Sequence, residues 1–288
     1  MTSELEDLKK LRDITGAGIL DCKKYLVRAS NNLDEAVKLM RSEEGIKADK
    51  KSSRIAAEGV VFYYSTDEVA LLLEINSETD FVAKSDDFIN YVKQTANMIS
   101  ESTFVDYDQL MSSDNETLKN DLEEMRKNYV TKLGENIQIR RFKLIDKKAN
   151  SVIGYTHNNK IGALVVLKNP DEQLSKDICM QIVASNPLGL DESSIDPKVL
   201  ASEKEVYMAE LDKINKKDDI KRNIMEGKVK KFISENTLLN QPFIKDSSLT
   251  LNKIIKDNEI VHYTRYELGE GIDKKKEDFA EEVYNQIK

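Results

Sequence analysis

Few side chains here suit bond chemistry at neutral pH. Only His157 and His262 have an ordinary pKa that fits proton shuttling. Cys22 and Cys179 are too few for a disulfide framework or a zinc site, and read as small buried hydrophobes. The sequence holds no G-x-S-x-G, H-E-x-x-H, G-x-x-x-x-G-K-S/T or G-x-G-x-x-G. Gly16-Ala17-Gly18 and Gly269-Glu270-Gly271 are bare G-x-G pairs that suit turns better than phosphate cradles. With 52 Asp and Glu, some carboxylates are neighbours by chance, so a carboxylate hydrolase stays open on this ground. The balance favours a binding protein over an enzyme, with no cofactor and no metal. The strongest recognition signal is Thr79-Asp80-Phe81-Val82-Ala83-Lys84, an apolar pair between an acid and a lysine. Connections run over surfaces, where apolar pairs lack cover. An aromatic held there on a rigid platform fills a partner's pocket. The alternative is Phe81 tucked beneath its own helix.

The elements around this segment form an internal repeat. The first copy reads as a strand at 59–64, a turn at Ser65-Thr66-Asp67, a strand at 69–76 and a helix at 87–99. The second reads as a strand at 151–156, a turn at Asn158-Asn159, a strand at 161–169 and a helix at 174–185. Further strands follow at 136–145 and 259–268. The fold class is therefore α+β, with two similar subdomains, each a three-stranded antiparallel sheet with a helix on one face. Aligning Asn76 with Asn169 shows where the copies part. The second passes straight into Pro170-Asp171-Glu172 and its helix, whereas the first inserts residues 77–84.

Three short helices precede the repeat, a bundle of the size class of ubiquitin-associated domains. Leu5, Leu8 and Leu11 mark the first, which ends at the turn 15–18. Ile19, Leu20, Cys22, Tyr25 and Leu26 mark the second, which breaks at Ser30-Asn31. Asn32 caps the third, with Leu33, Ala36, Val37 and Met40 on one face. Adjacent helical residues differ by about 100°, so Ile19 and Leu20 cannot both point inward. One is expected at the surface as a contact residue, or both half-buried at the helix start. Residues 48–54, ADKKSSR, suit a linker.

The repeat's insertions differ. Residues 107–133 read as one helical stretch. Residues 198–233 read as an antiparallel helical hairpin, with Leu200, Tyr207, Leu211 and Ile214 facing Ile220, Ile224, Val229 and Phe232 across a turn at 215–219. Such a hairpin serves a partner or a second copy of the chain, or lies flat on the core. A last amphipathic helix, 276–287, carries Phe279, Val283 and Ile287. The expected modules are 1–54 (three-helix module), 55–149 (first subdomain), 150–197 with 234–272 (second subdomain), 198–233 (hairpin) and 273–288 (C-terminal module).

Bulk properties narrow the classes. At 288 residues, 40% hydrophobic and 33% charged, the chain can build cores for about two domains. The net charge of −8 disfavours a broad nucleic-acid binder, which needs cations for phosphate contacts. The longest apolar runs, 69–73 and 163–167, fall far short of the roughly 20 residues of a spanning helix. The start, MTSELEDLKK, shows no apolar signal region, so a cytoplasmic location and no membrane partner are expected.

TGAGILDCKKYL and LLLEINSETDFVAK closely resemble segments of bacterial translation elongation factor Ts. KLGENIQIRR, EGKVKKF, NQPF and YELGEGI resemble further segments in the expected order, so the likeness spans essentially the whole chain. It implies a guanine-nucleotide exchange factor for elongation factor Tu, the GTPase that delivers aminoacyl-tRNA. Thr79, Asp80, Phe81 and Val82 would then form the segment that inserts near the partner's Mg²⁺ site. Arg12, Ile19, Leu20 and Lys23 would contact its GTPase domain, and Leu133 and Gly134 would lie in another contact segment. His157 matches a family histidine, although Asn158 and Asn159 follow it where the family often has Gly and Ala.

Two other readings stay open on the residues alone. An adaptor would bind a partner through the three-helix module without altering nucleotide release. An RNA-binding accessory factor would use 48–54 with Lys228, Lys230 and Lys231 and show a steep salt dependence.

Overall fold

The computed structural model describes residues 2–15, 17–148, 151–214 and 217–273. Gly16, two residues of the expected hairpin turn (Asn215 and Lys216) and the expected helix at 276–287 lie outside the described residues. The fold is α+β, and its packing separates two units. One comprises residues 1–145, 158–160 and the chain from Tyr266; the other comprises 146–157 and 161–265.

The first unit opens with α1 (Thr2–Thr15), α2 (Ile19–Arg28) and α3 (Leu33–Lys51). Leu11, Cys22, Tyr25, Leu26, Ala36 and Met40 are its buried core. Ser30 and Asn31 both take positive φ, which ends α2, and Asn32 Oδ1 then accepts from Glu35 N at 3.1 Å to start α3. The expected linker is a correction: α3 continues to Lys51, and Ala48 is buried in the core of the first sheet. Its alternating polar and small residues read as unstructured, yet Ala48 is helix-compatible and the packing decides.

The first sheet has order β1-β2-β3, formed by β1 (Glu58–Ser65), β2 (Val69–Ser77) and β3 (Ile137–Asp146). β1 and β2 pair antiparallel from Glu58↔Ser77 to Ser65↔Ala70. Gly59, opposite Asn76, has φ +133, and a Cβ there would sit 2.1 Å from Ile75 O, so the close approach of the two strands requires glycine. After the one-turn α4 (Asp80–Ala83), α5 (Asp86–Ser100) covers the sheet. Phe88, Tyr91, Val92, Thr95, Ala96 and Ile99 recur at helical spacing and are all buried. The stretch expected as one helix is two, α6 (Tyr107–Ser112) and α7 (Glu116–Leu133). The break falls where Asn115 Oδ1 accepts from Leu118 N at 3.1 Å, a side-chain cap that starts a new helix.

The second unit holds β4 (Ser151–His157), β5 (Ile161–Leu167) and α8 (Glu172–Ser185), with sheet order β4-β5-β8. Asn158 and Asn159 both take positive φ in the three-residue loop between β4 and β5, a conformation that Asn adopts more readily than most residues. Ile178, Cys179 and Ile182 of α8 pack with Ala163, Val165 and Leu167, and burial pushes the Cys179 thiol up to about 12. The hairpin comprises α9 (Pro197–Asp212) and α10 (Asp218–Asn236), which contact each other. Leu211 and Ile233 are its buried residues, and Lys228 lies over the Tyr207 ring at 4.9 Å. Ile214 and Ile220, expected inside the stripe, are exposed. A two-stranded sheet, β6 (Pro242–Phe243) with β7 (Asp246–Thr250), was not foreseen. The short helix α11 (Leu251–Ile255) and β8 (Ile260–Glu267) follow.

Candidate functional site

The segment 77–84 begins where β2, the central strand and buried from Ala70 onward, leaves the core. Thr79 caps α4: its Oγ1 accepts from Val82 N at 3.3 Å. The same hydroxyl donates to Glu135 Oε1 at 2.7 Å, and Thr79 N donates to Glu135 Oε2 at 3.0 Å. A reciprocal tie runs from Asn136 N to Glu78 Oε1 at 2.6 Å. The turn at 78–79 is thus fastened at both acids to the stretch that follows α7.

That fastening decides where the Phe-Val pair points. Val82 is half-buried and packs on the core, and Ala83 is buried, whereas Phe81 is 83% exposed. Phe81 therefore does not tuck beneath its helix, and Val82 does not join it at the surface. Asp80 Oδ2 lies 2.6 Å from Lys84 Nζ, and this hydrogen bond holds its carboxyl below the usual carboxylate range. The tip presents an aromatic ring beside a formed ion pair.

Leu133 and Gly134 stand next to this turn. Leu133 packs on the core, and Gly134 takes φ +80 as the left-handed cap of α7, with its N donating to Val130 O at 2.9 Å. Lys51 Nζ donates to Gly134 O at 2.8 Å, and Asn136 Nδ2 donates to Arg54 O at 2.8 Å. The structure thus brings 79–82 and 133–136 together. Glu78 and Glu135 are the positioning residues that spacing missed, since nothing in either neighbourhood reveals a tie across 56 residues. The acid adjoining Gly134 in KLGEN is the one available signal.

Arg12 on α1 and Ile19, Leu20 and Lys23 on α2 are all exposed. Ile19 at 52% and Leu20 at 83% exposure mean that neither points inward. Cys22, Tyr25 and Leu26 fill the core in their place. Val27, at 66%, extends the apolar surface from Leu20 two turns along the helix. His157, in the second unit, is exposed at the end of β4, with Nδ1 3.3 Å from Tyr155 Oη. Among the described residues no group of three or more His, Cys, Asp and Glu could hold a metal, and no helix is long and apolar enough to cross a membrane.

The comparisons with known proteins agree on one family. Residues 78–270 match the family described as Elongation factor TS. Elongation factor Ts of Alkalilimnicola ehrlichii is 41% identical over 285 residues, covering 98% of this chain and 97% of that protein. The Thioalkalivibrio sulfidiphilus protein of the same name is 39% identical over 293 residues, covering 100% and 99%. That of Francisella tularensis subsp. novicida is 41% identical over 283 residues, covering 98% and 97%. With 39–41% identity over nearly the whole chain and the 79–84 segment inside the matched region, the chain belongs to the elongation factor Ts family.

Proposed function

We propose that this chain is a guanine-nucleotide exchange factor that binds elongation factor Tu in its GDP-bound and nucleotide-free forms. In a GTPase, GDP is held by a phosphate loop and by Mg²⁺ bridging its oxygens. An exchange factor needs no bond chemistry; it must bind the nucleotide-free state more tightly than the nucleotide-bound one. Linkage then makes GDP and the factor weaken each other equally. The observation that carries this reading is Phe81, 83% exposed just after a turn that is tied at Glu78 and Thr79 to residues 135–136. A ring of this size buried in a partner contributes about 1.5–3 kcal/mol, so further contacts are needed to oppose tightly held GDP. Arg12, Ile19, Leu20, Lys23, Leu133, Gly134 and His157 are the residues proposed to supply them.

Release of fluorescent GDP from elongation factor Tu tests the proposal, with wild type, Asp80→Ala and Phe81→Ala side by side. Strong acceleration by the wild type, reduced about tenfold or more in Phe81→Ala, is expected from the burial energy above. Acceleration unchanged in both variants would move the mechanism to the other contacts. The exposed Leu20 and Val27 favour the adaptor as second reading, which predicts binding with no change in release. The exposed Ile214 and Ile220 support a homodimer through the hairpin, which sedimentation of Ile214→Lys and Ile220→Lys tests.

A further inference from the structure

The tip at Asp80 and Phe81 has charged neighbours besides Lys84. Glu58, the first residue of β1, stands opposite Ser77 in the β1–β2 pairing. Ser77 Oγ in turn donates to Thr79 O at 3.0 Å, and α4, which carries Asp80, packs beside β1. Glu58 therefore lies on the flank of the tip, where its carboxylate opposes the charge of Asp80.

The cation that answers Glu58 comes from far along the chain. Asn158, Asn159 and Lys160 belong to the first unit, although the strands they join lie in the second. Two main-chain bonds seat this loop. Asn159 O accepts from Val61 N on β1 at 2.8 Å, and Lys160 O accepts from Leu268 N at 2.7 Å. From that seat Lys160 Nζ donates to Glu58 Oε2 at 2.8 Å. The Lys84 hydrogen bond is the largest cause of the depressed Asp80 carboxyl; Glu58 acts the other way, and Lys160 offsets Glu58. A like charge disfavours the ionised form of a carboxyl, and a cation restores it.

We propose that Lys160 is a positioning residue of the exchange tip: seated on β1 and paired with Glu58, it neutralises the acid beside α4 and so keeps the Asp80 carboxylate charged next to Phe81. The inference deepens the exchange reading and rests on it for its effect on GDP release. Lys160→Met keeps the side chain's length, removes its charge and leaves both main-chain bonds of the loop in place. Its urea midpoint should change little, because the pair is partly exposed. Two measurements on the full-length protein test the proposal. A carbon-13 titration of the Asp80 carboxyl in the free protein should move up in Lys160→Met and return toward wild type in Lys160→Met/Glu58→Gln, where the opposing acid is gone as well. Acceleration of GDP release from elongation factor Tu should follow the same order, several-fold weaker in the single variant and restored in the double one. An Asp80 titration unmoved by Lys160→Met overturns the proposal, as does unchanged exchange in that variant. Weak exchange that the double variant fails to restore also overturns it and makes Lys160 a direct contact with the partner. If the wild type itself does not accelerate release, the exchange reading falls, and the titration still decides whether Lys160 governs Asp80.

Discussion

Thr79 shows how a single residue can set the pose of its neighbour. Its hydroxyl accepts the capping bond from Val82 and donates to Glu135, so a methyl in its place removes both. Thr79→Val is expected to cost about 1–2 kcal/mol of folding stability, the loss of a cap and a charge-assisted bond. Glu135→Ala should do the same from the other side, leaving the Thr79 N–H without its partner. On the proposed exchange function, both should weaken the acceleration of GDP release although Phe81 is untouched; normal exchange by a destabilised Glu135→Ala protein would show that the tie has no part in presentation. Phe81→Ala should instead leave the urea midpoint unchanged, because the ring is 83% exposed. That the Phe-Val pair needs explaining was legible in the sequence, because an apolar pair in a connection is a local anomaly; which of the two is exposed was not, and it is Phe81 alone. Glu135 was not legible either, because its role exists only after two remote segments meet.

At the scale of elements, caps and periodicity carried most of the legible information. The paired hairpins, α5, α8 and the break at Ser30-Asn31 follow from alternation, helical spacing and turn residues that the sequence displays. What escaped was set by packing: α3 running through the basic stretch, the division of α6 from α7, and the small β6–β7 sheet. Within the bundle, α2 and α3 are clamped by Glu43, which accepts from Arg28 Nη1 at 2.8 Å and from Tyr25 Oη at 3.1 Å. The Arg28 hydrogen bond is the largest cause of its carboxyl falling from an ordinary 4.5 to about 2. A depressed carboxylate stabilises the fold above its unfolded value and loses that contribution as pH falls through the folded one. The bundle should therefore keep the clamp above about pH 4.5 and lose it toward pH 2. A carbon-13 titration of the Glu43 carboxyl reads this directly, and Arg28→Ala should return it toward the ordinary value. Titration near 4.5 in the wild type would remove the clamp from the account.

Across the whole molecule, one carboxylate joins distant parts of the first unit. Glu74 is fully buried in β2, a position that strand alternation cannot flag because both faces of the central strand are covered. Arg140 Nη1 at 2.8 Å, Arg141 Nε at 2.6 Å and Gly269 N at 2.9 Å all donate to it. Arg141 also lies over the Tyr266 ring at 4.2 Å, so the segment 266–270 is bound to the sheet through charge and ring together. Glu74→Ala would remove the buried carboxylate that Arg140, Arg141 and Gly269 N share, leaving Arg141 its Glu270 partner, and should cost about 1–3 kcal/mol in denaturant unfolding. A change of a few tenths would show that the network is dispensable. The same contact also has a timetable. Gly269 lies 195 residues after Glu74, and at roughly 10 residues per second a ribosome needs about 20 s to make the intervening chain. During synthesis the first sheet must wait, its buried acid neutralised by Arg140 and Arg141 alone, while every residue of the second unit is made in between. Completion of the first unit is therefore a late event in the life of the nascent chain, even though its strands are among the first to emerge.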